Sequence, residues 1–408
     1  YTSEKVDNAR ANIKKYDWAQ KESADAVAAA DKFLQTFSYN DVWVSLTSQS
    51  LPRTYSVNQD YGCPLCGTEI YNTGIYPWTV DYNKLDFKLY CPDCSLGPDK
   101  GDESISFPTN DFLDYYKGGL NKYGEFDAKL AKDHNDELIA SGGDGNLVNR
   151  YYGKTLSAAQ VAKLKTAGVS DEAIQRITTD KGWGVDDGFG YVDPKTGIKY
   201  ALVADYIHWF AWEDGPVKRG MENLKDAYLY TGDQKYADML IVILDRMADV
   251  YKDMDLTKWR AQDGYINGVD GVGKVMNSVW ECANANSFML AFDAVYPAIF
   301  TMDSGVKDFL QSKSSVQDKT NPVRIVKNFE ANVLRQLVPS WNKGQIHGNE
   351  GMHQSTVAYA AVILDHYPET QNWLYDVFRT GGGLDSGNFS SLLVDEVDHD
   401  GQGYESPF

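Results

Sequence analysis

The sequence predicts an all-α protein, built from successive helical hairpins, with a small four-cysteine module set into it near the N-terminus. Three observations carry this. Apolar residues recur at steps of three and four through most of the chain beyond residue 110. Helix start and stop residues bracket those stretches, and no half of the chain reads as rich in strands. Two CxxC turns fall within one irregular stretch ahead of them.

The elements follow in order. Residues 1–37 carry one helical stripe: Val6, Ala9 and Ile13 begin it, and Ala26, Ala29, Phe33 and Phe37 continue it. This segment is expected as a single long helix. Residues 38–108 are rich in Gly, Pro, Asn and Tyr and read as loops and short strands. Residues 109–408 form the main helical domain. Asn110, Ser157 and Ser170 each stand where a helix cap belongs. Pro216 suits a first helical turn. From there a hairpin runs to Tyr251, turning at Thr231-Gly232-Asp233. Further helices are expected at 199–213, 275–297, 322–338, 349–366, 369–379 and 388–396. Hairpins of this length either close into a ring or stack into an open solenoid, and periodicity does not choose between them.

With 408 residues, 43% of them hydrophobic, the chain has material for one large core or two ordinary ones. Its longest unbroken apolar run is Val357–Leu364, far short of the roughly 18 residues of a membrane span. No signal peptide is visible, and the reading adopted is a secreted or periplasmic protein whose signal has been removed. A formal charge of −19 and the lack of any Lys/Arg cluster exclude a nucleic-acid binder. That charge does not exclude a polyanionic substrate, because a few cations in a cleft reverse the field locally. The 27 Tyr and 10 Trp offer flat apolar faces with a polar edge, on which sugar rings stack, although a tyrosine-rich helical core accounts for many of them.

Cys63-Pro64-Leu65-Cys66 and Cys91-Pro92-Asp93-Cys94 are separated by 24 residues. Each CxxC sets two sulfurs on one tight turn, and two such turns supply four thiolates for a tetrahedral Zn²⁺. Two disulfides are the alternative in an oxidising compartment, but a bridge within a CxxC turn is strained, which favours zinc. Four thiolates leave no open position, so the metal is expected to be structural. Cys282 falls in a helical stripe and reads as a small buried apolar residue.

Of six histidines, two fall in the short stretch Gly344-Gln345-Ile346-His347-Gly348-Asn349-Glu350-Gly351-Met352-His353-Gln354, which opens a helix. Asn349 and His353 are four apart and are expected on one face of its first turn. An Asn, one or two His and a helix N-terminus together can hold a carboxylate. A cap beside a buried histidine is the plainer reading.

Three pieces of the chain resemble the heparinase II/III-like and alginate lyase group of α/α-toroid polysaccharide lyases. The first runs from Cys63 through Tyr76-Pro77-Trp78 and Tyr90–Cys94 to Phe107-Pro108-Thr109-Asn110-Asp111-Phe112. The second is the hairpin Ala227–Ala237, common to many toroids. The third is the His347–Gln354 helix start, followed about 55 residues later by Gly403-Tyr404-Glu405. The resemblance implies an (α/α) toroid and cleavage of a uronate polymer by β-elimination. Asn349 or His347 would neutralise the uronate carboxylate, with His353 the competing histidine, and Tyr404 would be the catalytic tyrosine. Alginate is the first choice of polymer and a glycosaminoglycan (hyaluronan, chondroitin or heparin) the second. The chain departs from the group in two places. Ile346 precedes His347 where the group often has Asn, and the chain stops at Phe408, where the group usually continues into a C-terminal β-sandwich expected to complete the site.

The chemistry explains the residue types. Removing a uronate C5 proton puts charge onto an already anionic carboxylate, and preorganised donors absorb it best. A base takes that proton and an acid gives one to the leaving O4, and a single tyrosine can do both on one sugar face. Its pKa near 10 must fall, which a nearby cation achieves. Arg219, Arg260 and Lys274 are candidate cations. Tyr265, His208, Trp280, Glu281 and Glu350 are candidate substrate contacts, each of which packing alone would also explain. The rival readings are a toroid glycoside hydrolase using two of Glu213, Asp214, Glu281 and Glu350, and a non-catalytic carbohydrate-binding protein.

Overall fold

Helices dominate the protein, as the periodicity predicts. A computed structural model describes residues 1–46, 68–74, 112–123, 125–143, 152–166, 170–181, 191–192, 199–200, 215–255, 273–275, 279–349, 351–381, 388–395 and 397. The chain divides into two compact units. The first comprises Tyr1–Leu46, Val217–Leu256 and Val272–Phe408, and the second Thr47–Pro216 and Thr257–Gly271.

In the first unit the N-terminal stripe is two helices, α1 (Ser3–Ile13) and α2 (Asp17–Thr36), and not the single helix expected. The charges account for the break. Lys14 and Lys15 follow one helix and Asp17 opens the next, each at the end of a helix dipole that favours it. Helix α3 (Tyr39–Ser45) lies where irregular chain was expected. A capping box starts it: Asp41 N–H donates to Ser38 Oγ (3.2 Å), and Ser38 N–H to the Asp41 carboxylate (2.9 Å).

The predicted hairpin is α8 (Pro216–Thr231) and α9 (Gln234–Tyr251). Gly232 takes the left-handed turn at φ 74° and Asp233 caps α9. Any side chain at Gly220 would collide with the Phe33 ring, so glycine lets α8 lie close to α2. Helix α9 is buried over nearly its whole length, from Tyr236 to Tyr251. It packs on α10 (Val279–Ile299), α11 (Ser304–Ser312), α12 (Pro322–Asn332) and α3. Each aliphatic side chain it buries contributes about 1.5–3 kcal/mol. Phe292 of α10 stacks on Phe329 of α12 at 4.2 Å between centroids.

The helix expected at 322–338 breaks after Asn332, passes through a 3₁₀ turn at Leu334–Gln336 and restarts as α13 (Leu337–Asn342). Pro339 explains this. In an unbroken helix its ring would clash with the Arg335 carbonyl, whereas in the first turn of α13 its missing N–H costs nothing. Then follow α14 (Met352–Leu364), α15 (Glu369–Tyr375), a π turn (Asp376–Thr380) and α16 (Phe389–Asp395).

Beneath α12 lies a buried polar network. Lys319 Nζ donates to Asp245 (2.5 Å) and Asp249 (2.6 Å). Asn328 Nδ2 donates to the same two carboxylates, at 3.1 and 2.9 Å.

In the second unit α4 (Phe112–Gly118) packs on α5 (Ala128–Ala140), and α6 (Ala158–Thr166) on α7 (Asp171–Thr179). Ser157 and Ser170 cap α6 and α7 as predicted. The helix expected at 199–213 does not begin there: Lys199–Tyr200 pairs antiparallel with Tyr191–Val192. Pro194 and Gly197 between them are turn residues, a hairpin signal that the apolar run after 200 outweighed. Residues 201–213 lie outside the described residues, as do Cys63, Cys66, Cys91 and Cys94. No helix among the described residues is long and apolar enough to cross a membrane.

Candidate functional site

The residues singled out between Gly344 and Gln354 form a glycine-hinged loop leading into α14. Gly344, Gly348 and Gly351 all have positive φ (72°, 153° and 89°), a region that other residues enter at a cost. Helix α14 therefore starts at Met352, with Gly351 as its cap and the Gln354 side chain accepting the Gly351 N–H at 2.7 Å. Asn349 and His347 precede the helix. The expected shared face for Asn349 and His353 does not form: Asn349 is exposed in the loop and His353 is buried in the first turn.

His353 is held from below. The Trp341 indole N–H donates to its Nδ1 at 2.8 Å, and both rings are buried. Accepting that bond requires an unprotonated Nδ1, so the ring proton sits on Nε2, making Nε2 a donor. The Cys282 thiol donates to the His347 carbonyl at 3.2 Å and so ties the loop to the start of α10. Burial pushes the Cys282 thiol up to about 12, which keeps it a donor.

The first turns of α10 carry further polar groups. Glu281 is fully buried and accepts the backbone N–H groups of Lys274 (3.0 Å) and Val275 (2.8 Å). Lys274, also buried, donates to the Met254 carbonyl at 3.1 Å and lies over the Tyr251 ring at 4.9 Å. Burial, with Glu281 and then Cys282 adding to it, holds the Tyr251 phenol well above its usual range, so it stays protonated. One turn on, Asn284 is 1% exposed and neither its amide nitrogen nor its oxygen has a hydrogen-bond partner among the described residues. An unsatisfied buried amide costs about 1–3 kcal/mol for each group, a cost that an ordered water or a bound group would offset. Trp280, next to Glu281, is 40% exposed.

Helix α8 runs beside α10 in the same direction. Ser287 Oγ donates to Glu222 at 3.2 Å, and Tyr228 and Leu229 share a hollow with Ala294 and Pro297 further on. The exposed Arg219, one turn before Glu222, is therefore level with the first turns of α10.

The Cys282–His347 bond and the packing of α14 on α10 thus bring the loop that carries His347 and Asn349 to the start of α10, some 70 residues earlier in the chain. His208, Arg260, Tyr265, Glu350 and Tyr404 lie outside the described residues. Sequence reasoning missed Asn284 and the Trp341–His353 bond. A signal for the first existed, since Glu281, Asn284 and Asn286 interrupt an otherwise apolar helix. Chemically, the exposed Asn349 amide is a neutral donor that suits an anionic carboxylate and the Trp280 indole, 40% exposed, has a face that suits a sugar ring, whereas Asn284 and His353 are buried. Among the described residues no cluster of His, Cys, Asp and Glu suits a metal ion. Compared with protein families, curated proteins and solved structures, the chain finds no match.

Proposed function

We propose that this protein is the helical part of a secreted or periplasmic polysaccharide lyase that cleaves a uronate polymer, alginate first, by β-elimination. The observation that carries the reading is the meeting of the Asn349 loop with the first turns of α10, where the buried Asn284 amide has no hydrogen-bond partner among the described residues. Asn349, with His347, neutralises the uronate carboxylate. His353 Nε2–H, oriented by Trp341, adds a donor, and Tyr404 exchanges the protons at C5 and O4. Arg219, Arg260, Tyr265, His208 and Trp280 contact the polymer. The parallel run of α8 and α10, with α9 returning between them in sequence, is as compatible with a ring of an (α/α) toroid as with an open solenoid, and the toroid is proposed on the resemblance of the sequence. A C-terminal β-sandwich completes the cleft.

Elimination leaves a 4,5-unsaturated sugar that absorbs in the ultraviolet. Incubation with alginate, hyaluronan, chondroitin sulfate and heparin is expected to produce that absorbance with alginate above the others. New reducing ends without absorbance would mean a hydrolase, and binding without either would mean a carbohydrate-binding protein.

Cys63, Cys66, Cys91 and Cys94 hold one structural Zn²⁺ in this proposal, the support being their spacing. Metal analysis is expected to return one zinc per chain, and Cys91→Ser to lose it. Two disulfides by mass and no zinc would remove the metal.

A further inference from the structure

A second groove lies between α12 and the turn before it, on elements other than those of the loop site. It encloses about 420 Å³, within the range of about 300–1,000 Å³ usual for ligand pockets. One wall is Gln317 and Asp318. The other is the face of α12 on which Arg324, Lys327, Asn328 and Asn332 recur at helical spacing.

Two features distinguish it from ordinary surface. The first is charge. The chain has 58 acidic residues against 39 basic ones, yet neither Arg324 nor Lys327 has a carboxylate within ion-pair distance among the described residues. The nearest acid on the lining, Asp318, accepts from Thr320 N–H (3.1 Å) and Oγ (2.6 Å), and Arg324 acts on it at longer range without pairing. The second is a built floor. Asn332 Nδ2 donates to Asn328 Oδ1 at 2.7 Å, and Asn328, 6% exposed, is itself clamped by Asp245 and Asp249 around Lys319. That chain of bonds fixes the Asn332 amide before any ligand arrives, so binding orders little.

We propose that this groove is a second, non-catalytic binding site for a carboxylated sugar unit. The Arg324 fork and the Lys327 ammonium take the carboxylate. Gln317, Asn332 and the remaining lone pairs of Asp318 take hydroxyls. A bare inorganic anion would satisfy the cations but leave Gln317, Asn332 and Asp318 without hydroxyl partners, and a neutral sugar would leave both cations unused. The ligand class rests on the polyuronate reading above, whereas the location rests on the groove alone.

The test is calorimetric titration of the full chain with tetramannuronate, using Asn349→Ala protein so that turnover is slow on the timescale of the titration. Arg324→Ala and Lys327→Ala, both at exposed positions, are each expected to weaken this binding about tenfold or more, the loss typical of a charge-assisted hydrogen bond. Cellotetraose is expected not to bind there, and inorganic sulfate to compete only weakly. Unchanged affinity in both variants, or sulfate binding as well as the tetramer, overturns the proposal. The two readings fail separately. Arg324-dependent binding in a protein that yields no unsaturated product leaves the groove and removes the lyase. Full lyase activity with Arg324-independent binding does the reverse.

Discussion

Replacing Lys319 by methionine is expected to destabilise the protein by about 3–5 kcal/mol at pH 8, the cost of removing one partner from a buried ion pair. Lys319 and Asp245 are essentially inaccessible, and Asp249 is only partly exposed. Without the ammonium the two carboxylates face each other across Asn328. Burial, and after it the charge of Asp249, already raises the Asp245 pKa to about 6 in the presence of Lys319. A carboxyl whose folded pKa lies above its unfolded value of about 3.9 works against folding as pH climbs through that window. Losing the cation moves the folded value higher still. The penalty should therefore be smaller at pH 5, where Asp245 can take a proton and donate it to Asp249, than at pH 8. Urea unfolding of both proteins at the two pH values measures this. A loss as large at pH 5 as at pH 8 would show that packing of the lysine stem, and not charge, is what the variant removes.

Asn349→Ala is expected to lower turnover by about 10²–10³-fold, the cost of deleting one preorganised donor to developing negative charge. Folding should be nearly unaffected, because Asn349 is exposed, precedes α14 and leaves the capping to Gly351 and Gln354. Asn349→Asp, equal in shape but anionic, should fall at least as far, since it would repel the uronate carboxylate it replaces a donor for. Turnover is followed by ultraviolet absorbance at saturating polymer, with thermal unfolding as the control. Near-normal turnover in Asn349→Ala at unchanged melting temperature would transfer the neutralising role to His347 or Asn284.

Local signals in the chain were sufficient wherever a few neighbouring residues settle the backbone. The α8–α9 hairpin follows from Pro216, Gly232 and Asp233, and the starts of α6 and α7 follow from Ser157 and Ser170. Local energetics also accounts for the errors at 14–16, 39–45 and 333–337, where a charge reversal, a capping box and Pro339 were present but were outweighed by the longer apolar period. In the site, the candidate loop was legible because glycines, histidines and an asparagine crowd into one short stretch.

Which of those side chains face outward was not legible. Helix α14 begins at Met352 and not at Asn349 because three glycines accept positive φ, and this parts Asn349 from His353. A mainly helical chain, the positions of most helices and the loop that carries the candidate chemistry are written in local sequence, since propensity, capping and periodicity act over a few residues. That Cys282 meets the His347 carbonyl, that Trp341 sets the His353 tautomer, that Asn284 has no hydrogen-bond partner among the described residues and that Lys319 sits between Asp245 and Asp249 all depend on long-range packing. The Cys282–His347 and Lys319–Asp245 contacts join residues more than 60 positions apart, and burial there, not local preference, sets what each polar atom can bond to.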